Sequence, residues 1–249
     1  MSYREDPDLA FLGTLSDAEL EPLFGYLVYD GSGEERRERL TQTLTSSDEY
    51  KNCPGEHSRY WQRLAEELQC FGGHSLMNLW RGGGVLYAEI VRDVLDKAKV
   101  KHEDDESVPV LERRLLESLL IAAVEKMDEQ DLKELISSLN LQNCAVTAQA
   151  VTAALQLGVR LNSALALQAA SLVANTLSRM LLGSGLTLAG NAALSRALGV
   201  FAGPLGWALT GLWTAYDLAG PAYRVTLPCV VQIAFMRLKH TTAENPSAN

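Results

Sequence analysis

The sequence predicts an all-α protein: a multi-helix chain with an acidic helical front domain and an apolar, small-residue-rich helical rear domain that contains a hydrophobic hairpin. Three observations predict it. Apolar residues recur at three- and four-residue intervals, strand-like alternation is nearly absent, and charge collapses about halfway along the 249-residue chain. Residues 1–134 carry 16 basic and 29 acidic side chains, whereas 135–236 hold only Arg160, Arg179, Arg196, Asp217 and Arg224. A stretch that long with so little charge packs on itself or meets another apolar medium, a bilayer or a partner's surface.

The elements follow in order. Ser16 with Glu19 makes a capping box and Leu15 with Leu20 a hydrophobic staple, so a helix runs from Asp17 to about Tyr29. Gly31-Ser32-Gly33 breaks it, and Glu34 to Leu44 reads as a short charged helix. After Pro54-Gly55, Tyr60, Leu64, Leu68 and Phe71 repeat at helical spacing until Gly72-Gly73. Beyond Gly82-Gly83-Gly84, Val85, Ile90, Val94 and Leu95 give the next amphipathic helix. The acid-rich run Lys99 to Ser107 reads as a hinge, dividing the chain into 1–100, a linker at 101–108, and 109–249. Leu111, Leu115, Leu119 and Val124 mark a helix to about Met127, and Asp128 caps another, Glu129 to Leu139. Residues 141–178 carry a polar face of amides and hydroxyls (Gln142, Thr147, Gln149, Gln156, Asn162, Gln168, Asn175), a surface suited to a semi-apolar setting. Further helices are expected from Gly185 to Leu198 and from Leu205 to Tyr216, and a last one after Pro221, kinked by Pro228.

Bulk composition bounds the function. A 47% hydrophobic content is enough to bury a core, and the net charge of −9 divides into an acidic front and a mildly basic rear. The acidic front argues against nucleic acid as a partner, since that needs clustered Lys and Arg. Four scattered cysteines and a start without basic or apolar leader character predict a reduced, cytoplasmic protein with peripheral or conditional inner-membrane association.

The strongest candidate for contact with a membrane or a partner is the hairpin 180–216. Gly185, Ala189, Ala193 and Ala197 recur every four residues, with Gly199 and Gly203 following, a glycine-zipper-like spacing that lets helices approach closely. Arg196, Trp207, Trp213 and Tyr216 supply groups of the kind found at membrane surfaces. The uncharged run 180–195 has 16 residues; at ~1.5 Å per residue it falls short of a ~30 Å hydrocarbon core. A re-entrant or conditionally inserted hairpin, or a packed soluble helix pair, fits that length better than a permanent span. The arginines either snorkel to a surface or pair with acids of the front half.

No catalytic set stands out, and no cofactor is implied. Cys53 with His57 and Cys70 with His74 form two C-x3-H pairs with ligand-type chemistry for Zn²⁺, but they lie in a helix-rich region that has its own core, so no metal is assigned. The glycines around Arg81 could cradle an anion at a helix N-terminus near Val85, although helix stops explain them more simply.

Tyr60-Trp61-Gln62-Arg63-Leu64-Ala65-Glu66-Glu67-Leu68-Gln69, Phe71-Gly72-Gly73, Asn78, Arg81-Gly82, Gly84-Val85-Leu86-Tyr87, Glu125-Lys126-Met127, Gly203-Pro204-Leu205-Gly206 and Ala222-Tyr223-Arg224-Val225-Thr226-Leu227-Pro228 resemble the YaaW-type family of uncharacterised bacterial proteins. The resemblance covers most of the chain, and its front domain is more distantly similar to the ubiquinol-cytochrome c chaperone domain. It implies a helical protein without an assigned activity, with Arg81, Tyr87 and Arg224 as its special polar residues. The leading expectation is a non-enzymatic protein that associates with membrane lipid through the hairpin, with pore formation or effector action as its stronger form. An assembly chaperone or adaptor for an apolar protein client is the second expectation, and a soluble all-α protein without a membrane role the third. Small-residue helix faces also raise the expectation of a homo-oligomer.

Overall fold

The computed structural model describes residues 3–29, 34, 44–72, 84–141, 143–182, 206 and 222–244. Every element among them is an α-helix or a 3₁₀ turn, as the sequence predicts. The helices are α1 (Asp17–Val28), α2 (Asp48–Asn52), α3 (Trp61–Gly72), α4 (Tyr87–Lys97), α5 (Val108–Val124), α6 (Glu129–Ser138), α7 (Ala148–Leu161), α8 (Ser163–Leu182) and α9 (Tyr223–Glu244), with 3₁₀ turns at Ala10–Thr14 and His57–Tyr60. The short helix expected from Glu34 to Leu44 and the hairpin helices of 185–198 and 205–216 fall almost wholly outside the described residues.

Local chemistry explains the boundaries. The Glu19 carboxylate accepts from the Ser16 N–H (3.0 Å) and hydroxyl (2.7 Å), fixing the start of α1. Asp128 accepts from the Asp131 N–H at 2.9 Å and starts α6. Only Asn162 separates α7 from α8. Its backbone is extended and its N–H donates to the Gly158 carbonyl, while its side-chain oxygen accepts from the N–H groups of Ala164 and Leu165 at 2.9 and 3.0 Å. One residue therefore closes one helix and caps the next.

The core is arranged around α9. This helix contacts α1, α3, α4, α5 and α8, and its contact with α8 is the most extensive between any two described helices. From Val225 through Met236 its described side chains are buried on every side, a pattern that belongs to a helix enclosed by others. It runs unbroken through Pro228. The connection 101–107 is held by carbonyls of Asp104 and Glu106 accepting from Arg92, and by the Glu106–Arg114 ion pair. Helices before and after it contribute to the same hydrophobic cluster.

Helix α8 is the one described helix long and apolar enough to cross a membrane, and 67% of its apolar window is buried inside the protein. Its polar row Ser171, Asn175 and Ser178 is buried, as are Thr226 and Gln232 on α9. The amide-and-hydroxyl face expected of 141–178 is thus partly an interior surface.

Gly84 lies where the segment leading into α4 presses on α3: a Cβ there would come within 2.5 Å of the Gln69 carbonyl carbon. Backbone cannot yield as a side-chain tip does. Gly84→Ala is expected to destabilise the protein by about 1–3 kcal/mol, read as a lowered urea midpoint with an unchanged slope.

Candidate functional site

Of the polar residues singled out by sequence, Tyr87 proves central. The first turn of α4 carries it into the interior, where it is fully buried. Its hydroxyl donates to Glu112 Oε1 of α5 at 2.8 Å. Glu112 is 2% exposed and receives Arg237 of α9 as well, with Nε at 2.9 Å from Oε2 and Nη2 at 3.3 Å from Oε1. The same Nη2 donates to the Asp8 carbonyl at 2.7 Å, and the guanidinium stacks 4.6 Å from the centre of the Phe11 ring. Burial pushes the Glu112 carboxyl above its ordinary range, while Arg237 and Tyr87 pull it back. Burial, helped by Glu112, holds the Tyr87 phenol well above its usual value.

A second buried carboxylate adjoins this network. Asp6 Oδ2 accepts from the Tyr87 N–H at 2.6 Å and from Gln69 Nε2 at 3.4 Å. Gln69 also closes a two-way bond with the Arg4 backbone, at 3.1 and 2.9 Å. From the sequence, the glycines before α4 could cradle an external anion. The described backbone there is already engaged: Val85 donates to the Gln69 carbonyl at 3.2 Å, and the anion at the start of α4 is the protein's own Asp6. This satisfies the Tyr87 N–H of the helix start internally.

Helix α3 buries Glu66 and Glu67 side by side. Glu66 pairs with Arg63 at 3.0 Å, whereas Glu67 Oε1 has no hydrogen-bond partner. Burial pushes Glu67 up to about 8, with Glu66 adding to the rise. One turn on, burial raises the Cys70 thiol to about 11. Of the C-x3-H pairs, the described residues of the first are engaged within the protein. Both ring nitrogens of His57 are occupied, by Tyr60 at 2.8 Å and Glu21 at 2.5 Å, and Cys53 Sγ accepts from Arg59 at 3.1 Å. His74 lies outside the described residues.

The rear half offers a concave surface. A groove of about 840 Å³ runs between the α6–α7 connection, one face of α7 and the start of α8. Leu157 and Leu161, one turn apart on α7, form part of its wall and are 66% and 82% exposed. The helix is tied to α5: Arg160 grips Glu117 through two bonds of 2.8 and 2.9 Å, and Arg113 donates to the Arg160 carbonyl. Arg160 is therefore an arginine of the charge-poor half that finds an acid of the front half.

Arg224 is exposed in the first turn of α9 and Arg179 in the last turn of α8. Arg81, Gly185, Ala189, Ala193, Arg196, Gly199, Gly203, Trp207, Trp213 and Tyr216 lie outside the described residues. Sequence reasoning passed over Glu112, Arg237, Asp6 and Gln69. For Arg237 a signal exists, a lone cation following the apolar run Val225–Met236. Glu112 and Asp6 sit among many surface acids, and nothing in the pattern separates them.

Comparison with known proteins places this geometry among relatives. Residues 56–231 match the model of the ubiquinol-cytochrome C chaperone family, and residues 3–37 that of a domain of unknown function, DUF3944. The first match extends through α9's first turns, well beyond the front domain to which the sequence confined it. A UPF0174 protein of Helicobacter pylori strain J99 is 41% identical over 96% of this chain and 94% of its own length. The UPF0174 protein YaaW of Escherichia coli K12 is 33% identical over 95% and 96%. No solved structure matches.

Two outcomes are expected. Arg237→Met leaves Glu112 buried without its cation and is expected to cost about 3–5 kcal/mol at neutral pH; the loss shrinks in acid, where Glu112 is protonated, as urea titrations at two pH values will show. Glu67 has a folded value above its unfolded 4.5, so the stability from its bound proton is complete below about pH 4.5 and lost as pH rises through about 8. Glu67→Gln is expected to remove that slope, gaining on the wild type by on the order of a few kcal/mol between those limits.

Proposed function

The chain belongs to the UPF0174 family, and from that premise we propose that it is a non-enzymatic assembly factor that holds an apolar segment of a client protein. The observation that carries the reading is the likeness of residues 56–231 to a family named for chaperoning ubiquinol-cytochrome c. That span includes α3 to α8 and the start of α9, so it takes in the exposed groove and, of the buried network, Gln69, Tyr87 and Glu112. The two features suit holding rather than chemistry. Asp6, Tyr87, Glu112 and Arg237 direct their hydrogen bonds at one another and at the backbone, which gives a rigid frame. The groove gives that frame a concave surface edged by two exposed leucines, in reach of a partner. Strong negative charge keeps such a holder in solution beside an aggregation-prone client.

Association with membrane lipid through the hairpin 180–216 is the second reading. It is favoured by the small-residue spacing of that segment, and a client emerging at a membrane would bring the two readings together.

The assay is suppression of aggregation. A membrane-protein helical hairpin diluted out of detergent scatters light as it aggregates; the full chain is expected to suppress the scattering at stoichiometric ratios and to co-elute with the hairpin. Unchanged scattering at excess chain would exclude the holding function. For the second reading, carbonate-resistant recovery with membranes is the expected result, and full recovery in the soluble fraction under every condition counts against it.

A further inference from the structure

We propose that the groove between α7, the start of α8 and the α6–α7 connection is the docking site for one uncharged, apolar helix of a partner protein. The inference rests on the holding function and gives it a place and a ligand chemistry.

Exposure is the first argument. Among the described residues three large hydrophobic side chains are exposed, Val110, Leu157 and Leu161, and the two most exposed both line this groove. Isolated surface leucines are ordinary. Two that flank a concave surface at one-turn spacing present the ridge into which a second helix packs its own i, i+4 and i+7 side chains.

Charge is the second. In a chain of net charge −9 with 53 charged side chains, the described residues that line the groove include no Lys, Arg, Asp or Glu. Its polar members are the amides Asn140, Asn143, Asn162 and Gln168. A charged helix face seated here would lose its water and gain no counter-charge. An uncharged face loses little, and amides can meet the hydroxyls or amides at its edge.

Size is the third. About 840 Å³ lies within the ~300–1,000 Å³ of sites that enclose one ligand. It receives a row of side chains from roughly two helical turns. A stable interface with a second folded copy needs on the order of 800 Å² from each partner, which two leucines and a groove of this size do not provide.

The wall is also set before the partner arrives. The Asn162 corner fixes α8 against α7. Gly158 leaves room for Leu165 to press directly onto α7, and the Arg160–Glu117 pair anchors the helix to α5. A rigid site loses less freedom on binding.

The test uses the full chain and a synthetic helix of about 14 residues made of Leu, Ala and Gln, blocked at both ends, with leucines in a single row. A peptide of the same composition with scrambled leucines and one with lysines in the row serve as controls. Fluorescence anisotropy is expected to give saturable binding for the leucine-row peptide alone. The double variant Leu157→Gln/Leu161→Gln, its helicity checked by circular dichroism, should bind about tenfold more weakly, and Val110→Gln like the wild type. Equal binding by the double variant overturns the assignment to this groove. So does a dimer in sedimentation, or neutral-vesicle binding, that the double variant abolishes, since either gives the surface another occupant. The same variants enter the aggregation assay. If wild type and double variant suppress scattering equally, the groove is wrong and the holding function stands; if the wild type fails, the function itself falls.

Discussion

A guanidinium can remain inside a protein only if every one of its demands is met there, and the fold depends on meeting those of Arg237. Glu112 supplies the opposite charge, the Asp8 carbonyl an acceptor and Phe11 an aromatic face, while Tyr87 completes the carboxylate's hydrogen bonds. These partners come from the N-terminal segment, α4 and α5, so one side chain on α9 aligns three parts of the chain that are remote in sequence. A buried pair of this kind adds little net stability, because desolvation cancels much of the attraction. What it supplies is register: a slip of α9 by one residue turns the cation into hydrocarbon.

The contrast between an acidic half and a charge-poor half becomes intelligible around that helix. The charge-poor segments α8 and α9 are the interior against which α1, α3, α4 and α5 lay their apolar faces. The two halves also meet through specific ion pairs, Arg160 with Glu117, Arg237 with Glu112 and Lys239 with Glu19. The few cations of the rear are thus partly placed to receive acids of the front.

The helices were legible in the sequence because their signals are local. Ser16 with Glu19 and Asp128 mark boundaries that the structure keeps within a residue or two. Family resemblance pointed to Tyr87 without indicating that it would be buried. The rest of the network was hidden, since Asp6 and Glu112 matter through partners about 80 and 125 residues away, a distance no helical period encodes. The groove was hidden for a related reason. Leu157 and Leu161 lie off the buried Val151, Leu155 and Val159 stripe of α7, and only the packing of α8 at the Asn162 corner shows that they edge a concave surface.

The position of α9 in the chain sets the order in which this protein can be made. Each helix that packs on it precedes it, α1 by some two hundred residues, so during synthesis those helices emerge without the element that covers their apolar faces. At ~5–20 residues per second the interval lasts about ten seconds or more. Through that time the acidic front half is a nascent chain with its hydrophobic side bare, held soluble by like charges, and the Asp6–Gln69–Tyr87 contacts are among the long-range bonds it can form alone. A protein proposed to shelter the unfinished segments of others is itself, until α9 arrives, an unfinished segment.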